Sequence, residues 1–73
     1  MNEKQILDAL KKGPGGVQVN ITEKGYTVST TYRPAKRCHG GTIREAAFGV
    51  AVALWSDRRC PAAVRAALGE LEL

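Results

Sequence analysis

Apolar residues recur at Ile6, Leu7 and Leu10, a spacing that gathers them on one side of a helix. Asn2-Glu3-Lys4-Gln5 precedes them as a capping box. The Asn2 side chain can accept from the Gln5 amide while the Gln5 side chain returns to the Asn2 amide. Met1 and Ile6 take the two positions of a hydrophobic staple. Gly13-Pro14 stops the helix. A helix of about three turns does not persist alone in water, so it must dock on other elements.

After Gly15-Gly16 the period changes to two. Val17-Gln18-Val19-Asn20-Ile21-Thr22-Glu23 alternates apolar and polar residues, and Tyr26-Thr27-Val28-Ser29-Thr30-Thr31-Tyr32 is rich in β-branched and aromatic ones. The two runs predict an antiparallel hairpin reversing at Lys24-Gly25, with Gly25 taking a positive φ. That turn sets Ile21 opposite Val28, Val19 opposite Thr30 and Val17 opposite Tyr32. The apolar set then shares one face, and Gln18, Asn20, Thr22, Thr27, Ser29 and Thr31 share the other. The polar face is expected to meet water or a partner. The apolar face is expected to lie beneath the helix that follows.

Arg33-Pro34-Ala35-Lys36-Arg37-Cys38-His39-Gly40-Gly41 reads as a loop in which a short third strand can form. Thr42-Ile43-Arg44-Glu45 is a second capping box, opening a helix that runs to about Trp55 or Ser56. Ile43, Ala47, Val50 and Leu54 make one stripe of this helix; Phe48, Val52 and Trp55 make another on a different side. One sheet face cannot cover both. Asp57-Arg58-Arg59 is a charged turn, and Cys60-Pro61 opens a last short helix carrying Val64, Ala67, Leu68 and Leu71. The tail Glu70-Leu71-Glu72-Leu73 is expected to fray. The fold class is therefore α+β: an N-terminal helix, a β-hairpin, a long helix packed on the sheet and a short C-terminal helix, in one domain over residues 1–73.

Size limits what such a chain can bury. A domain of 73 residues has a thin core and modest stability. No apolar run approaches the roughly 20 residues that span a bilayer; the run Ala46 to Trp55 is interrupted by Gly49. The polar start does not read as a signal peptide, so no membrane association and a cytoplasmic location are expected. Reduced thiols at Cys38 and Cys60 follow from that location.

The net charge of +4 permits nucleic acid or an acidic protein surface as partner and requires neither. Arg33, Lys36, Arg37 and His39 gather just before a helix start, where Gly40 and Gly41 can expose backbone amides. This is a candidate anion or partner site, the alternative being a solvated basic loop. Lys11, Lys12, Arg58 and Arg59 add cations at element ends. The Phe48, Val52 and Trp55 stripe is either covered by the last helix through Val64, Leu68 and Leu71 or forms an apolar interface, with a second copy as one occupant. Gly49 and Ala53 would let another backbone come close. Tyr26, Tyr32 and Trp55 are expected in the core.

Catalytic chemistry is not expected. Cys38 and His39 are adjacent on an extended segment and so point apart, and no third group is in place to orient the imidazole. Cys38, His39 and Cys60 lack paired Cys-x-x-Cys spacing and number three where a structural zinc site needs four ligands, so no metal or cofactor is expected.

Gly25-Tyr26-Thr27-Val28-Ser29, followed by Gly40-Gly41-Thr42-Ile43-Arg44-Glu45-Ala46-Ala47 and an alanine-rich helix, resembles the hairpin and helix of HicB-type antitoxins over about residues 25 to 55. The resemblance implies chiefly the fold. The element order also resembles a double-stranded-RNA-binding domain, and the size and build are similar to small phage and mobile-element proteins, anti-CRISPR inhibitors among them. The expected function is a small non-enzymatic binding module, of phage or prophage type, that modulates a larger protein. The alternative is a nucleic-acid-binding domain that contacts phosphates through its basic loop.

Overall fold

The computed structural model describes residues 2–71. The expected Met1–Ile6 staple and the end of the tail lie outside them. Helix α1 spans Glu3–Leu10, and its capping box is formed: the Gln5 amide donates to Asn2 Oδ1 at 2.9 Å and the Asn2 amide donates to Gln5 Oε1 at 2.8 Å. Ile6, Ala9 and Leu10 are buried against the rest of the chain, which gives this short helix its docking site.

Strands β1 (Val17–Thr22), β2 (Gly25–Thr30) and β3 (Arg37–Gly40) form an antiparallel sheet in the order β1-β2-β3. The third strand therefore forms within the segment read as a loop. The hairpin register differs from the expected one by two residues: Val19 pairs with Val28, Ile21 with Tyr26 and Val17 with Thr30. The reversal falls at Glu23 and Lys24, and Gly25, at φ +141°, becomes the first residue of β2. A Cβ there would run into the Gly40 carbonyl, so the absent side chain seats β3 beside β2. A shift of two keeps every side chain on its expected face, since strands alternate with period two.

Helix α2 (Ile43–Trp55) begins at Thr42, whose Oγ1 accepts from the Glu45 amide at 3.1 Å. Its packing on the sheet is chiefly against β2 and β3. The expected roof over β1 is thus displaced. Val17 is half-buried, Val19 is 40% exposed and Ile21 is 82% exposed. Helix α3 (Ala62–Glu70) packs chiefly on α1, through Val64 and Leu68. Leu71, expected in a fraying tail, packs in part against the core. Ile6, Leu10, Val28, Val50, Leu54, Val64 and Leu68 form the fully buried centre.

Two polar anchors hold the connections. Thr30, buried at the end of β2, receives the Lys36 amide on its Oγ1 at 3.0 Å and donates its own amide to the Lys36 carbonyl at 2.9 Å. This closes the segment containing the cis Arg33-Pro34 peptide. Tyr32 leaves the sheet and lies against Gly13, where a Cβ would meet its ring at 2.5 Å. Its hydroxyl donates to the Leu10 carbonyl. That carbonyl is in the last turn of α1 and has no partner within the helix. Burial is the main cause that pushes the Tyr32 phenol up to about 12, with the Cys60 thiolate adding to it.

Tyr32→Phe removes this donor and leaves a buried carbonyl unpaired. The expected loss is about 1–2 kcal/mol in urea unfolding, with the denaturant slope unchanged because the ring still fills its place.

Candidate functional site

Alternation along β3 turns Cys38 and Gly40 toward α2 and turns Arg37 and His39 to the opposite face. The register aligns them with the polar side of the hairpin. Gln18, Ser29 and Arg37 form one row across the three strands, and Asn20, Thr27 and His39 form the next. Thr27 Oγ1 lies 3.4 Å from His39 Nδ1. The twisted face is a shallow concavity of about 510 Å³ lined by these six side chains and the edge of Cys38. One fixed cation and no carboxylate stand in the two rows. The chemistry on offer is hydrogen bonding from amides and hydroxyls, with a guanidinium and an imidazole at one side.

The other residues of the basic segment have different duties. Lys36 Nζ lies 3.0 Å from Asp57 Oδ2. Asp57 also receives the Arg59 amide at 2.9 Å, Arg59 Nε at 3.2 Å and Arg59 Nη2 at 3.1 Å, and its backbone carbonyl accepts from Arg65 Nη2 at 2.8 Å. The Arg59 side-chain bonds first, then the Arg59 amide and Lys36, hold the Asp57 carboxyl well below the usual carboxylate range. The charge-pair geometry correspondingly raises Arg59. Arg33 is exposed beside Pro34, Ala35, Lys36 and Arg59, on the margin of this cluster.

Gly40 and Gly41 serve the start of α2. A Cβ on Gly40 would stand 2.7 Å from the Ala46 nitrogen, so this glycine lets β3 meet the helix backbone. The Gly41 amide donates to Glu45 Oε2 at 3.0 Å. The chain's own carboxylate therefore takes the place at which an external anion was expected. The six residues read together in the sequence divide into three groups: Arg37 with His39 on the sheet face, Lys36 and Arg33 near Asp57, and the two glycines under α2.

Phe48, Val52 and Trp55 are 41%, 42% and 36% exposed. The last helix does not cover the stripe as a whole. It reaches Trp55, whose ring lies 5.3 Å from the Arg65 guanidinium and close to Gly69, so Trp55 is a surface contact and not a core residue. Gly49 uses its missing side chain against Cys38, whose Cβ would be 3.0 Å from an added Cβ. Both cysteines are free; burial pushes the Cys60 thiol up. Cys38 faces α2 while His39 faces the opposite side of the sheet, and among the described residues no three His, Cys, Asp or Glu side chains gather as a metal site. No helix among those residues is long and apolar enough to cross a membrane.

Asp57 is the residue with a clear role that sequence reasoning passed over as a turn charge. The available signal was its spacing from Arg59: an aspartate commonly accepts from the backbone two residues on. Because ionisation of Asp57 is favoured in the folded state, its contribution to stability is complete above the unfolded carboxylate range. It is lost as pH falls below about 3.8 toward the lower folded value. Asp57→Asn is therefore expected to lower the melting temperature at neutral pH, and the gap from the unsubstituted protein should narrow steadily below pH 4 in thermal scans.

No protein-family model, curated protein or solved structure matches the chain, so the site stands on its own geometry.

Proposed function

We propose that this protein is a small non-enzymatic module that binds a partner protein through the polar face of its sheet. The observation that carries this reading is the union of two sequence features into one surface. Formation of β3 brings Arg37 and His39 beside Gln18, Asn20, Thr27 and Ser29 in a single concavity. An open sheet face of this kind suits an extended or loop segment whose peptide groups and acidic side chains meet amides, hydroxyls and one guanidinium. Rows of neutral donors and acceptors give specificity through matched hydrogen bonds, and Arg37 gives orientation.

The chemistry of the sheet face itself favours protein over nucleic acid. Phosphate binding works by neutralising several charges along a backbone. Here Lys36 and Arg59 are engaged by Asp57, and Arg65 by the Asp57 carbonyl and the Trp55 ring. The sheet face carries Arg37 as its fixed charge. Such a module would act by occupying or remodelling a surface of a larger protein.

The test is affinity capture from the native host's lysate with and without nuclease, repeated with Arg37→Glu. Arg37 is the better variant than Lys36, because a change at Lys36 also breaks its pair with Asp57. The expected result is a discrete protein retained regardless of nuclease, held with little salt dependence, and weakened roughly tenfold or more by Arg37→Glu. Nuclease-sensitive retention that falls steeply with salt would point to nucleic acid and overturn the reading.

A further inference from the structure

The outer edge of β1 is a second unpartnered surface, independent of the polar face. The Thr31 amide donates to the Gly16 carbonyl at 3.0 Å, which fixes the phase of the β1–β2 ladder. Antiparallel pairs alternate between hydrogen-bonded and non-hydrogen-bonded. Residues 16, 18, 20 and 22 therefore turn their amide and carbonyl groups toward β2, and Val17, Val19 and Ile21 turn theirs outward. The same three residues carry the apolar side chains of the strand, and exposure rises along them from half-buried Val17 to Ile21.

Protein edges are normally blunted by charge, proline, a bulge or shortness. Edge strand β3 has four residues, including Arg37 and His39. Edge strand β1 has six residues, Val-Gln-Val-Asn-Ile-Thr, with no charge and no proline, and its ladder with β2 runs without a bulge.

We infer that β1 pairs antiparallel with β1 of a second copy of the chain about a two-fold axis at Val19. Three features single out that occupant. A two-fold normal to the sheet requires each residue to face a copy on the same side, so the centre must fall on a residue. Centring on Val19 pairs Val19 with Val19, Val17 with Ile21 and Gln18 with Asn20. Every outward-directed residue of the strand then lies in a hydrogen-bonded pair, whereas centring on Gln18 or Asn20 sends Ile21 or Val17 past the end of the partner strand. Side chains match in the same register: apolar on apolar facing α2, carboxamide on carboxamide on the polar face.

The charges agree as well. Each copy carries +4, which opposes association, yet the strand itself is neutral. The antiparallel arrangement lays the Glu23-Lys24 turn of one copy beside Pro14 and Gly15 of the other, which are uncharged, so no like charges are paired along the two strands. The product is a six-stranded sheet with two helical layers on one side and a continuous polar face on the other. A contact of one strand pair is a small interface, so the dimer forms in a concentration-dependent manner.

Sedimentation equilibrium of the intact protein from micromolar to millimolar concentration tests this. The expected mass rises from 7.8 kDa toward twice that value. Ile21→Lys should weaken the dimer roughly tenfold or more while leaving circular dichroism and melting of the monomer unchanged, because Ile21 is 82% exposed. In a second measurement, Gln18→Cys and Asn20→Cys are introduced separately into protein carrying Cys38→Ser and Cys60→Ala, so that no native thiol competes, and the two variants are mixed and oxidised. The paired positions have Cα atoms about 4.5 Å apart in a non-hydrogen-bonded pair, within disulfide reach, so the 18–20 heterodimer should dominate over either self-linked product. A monomer across the whole concentration range overturns the inference. So does a dimer that Ile21→Lys leaves intact, or cross-linking without preference for the 18–20 pair. None of these outcomes depends on whether the polar face binds a partner protein.

Discussion

An α-helix with its side chains is about 10 Å wide, and neighbouring strands lie about 4.8 Å apart, so one helix covers two strands of a sheet and not three. This constraint organises the molecule. Once Arg37–Gly40 pairs with β2, α2 settles over β2 and β3, and β1 becomes an edge with its apolar side open. Helices α1 and α3 then pack beside α2, with Val64 and Leu68 turned inward and away from the Phe48 and Val52 surface. Two glycines set how closely the layers approach. Gly49 lets α2 rest on Cys38, and Gly40 lets β3 meet the backbone at Ala46. A side chain at either position would lift the helix from the sheet and loosen the contacts of Val28, Val50 and Leu54.

A core this thin leaves much of the structure's definition to a few polar anchors. Tyr32 joins the end of β2 to the end of α1, Thr30 closes the segment between β2 and β3, and Asp57 draws Lys36, Arg59 and Arg65 to the turn between α2 and α3. Each links parts of the chain that the hydrophobic pattern alone would leave free to slide. No buried side-chain nitrogen or oxygen among the described residues lacks a partner. The exposed ion pairs contribute little energy individually, since solvent screens them. Their value lies in direction: a carboxylate with several donors around it accepts one arrangement of the turn and disfavours others.

Features encoded by adjacent residues were legible in the sequence. The Asn2–Gln5 capping box and the assignment of Gln18, Asn20, Thr27 and Ser29 to one face depend on spacing within one element, and the structure has them; of the second box only the Thr42 half forms, the Glu45 side chain accepting from the Gly41 amide and not from Thr42. Features that depend on a distant partner were not. The register slipped by two because the demand on Gly25 comes from Gly40, fifteen residues away, and alternation is blind to a shift of two. The basic segment read as one site because its charges are contiguous, yet Lys36 answers to Asp57 and Gly41 to Glu45. Trp55 read as core from its apolar character, whereas Arg65 and Gly69 give it a place on the surface that composition does not reveal.

What remains after structural duties are assigned is informative about function. Phe48 and Val52 are one helical turn apart, and each is more than half covered. Exposure of that kind is ordinary on small proteins, and with Trp55 engaged by α3 the stripe says little by itself. The polar sheet face is different in kind. Its six side chains form two regular rows; apart from the Thr27–His39 approach they are not drawn into the packing, and Arg37 stands there with no carboxylate in either row. A sheet needs only one covered face to fold, so the chemistry of the second is not dictated by stability. Had solubility alone shaped it, scattered charges of both signs would have served as well. Neutral amides and hydroxyls aligned across three strands, with the positive charge confined to β3, instead describe a surface arranged to match the hydrogen-bonding groups of another molecule.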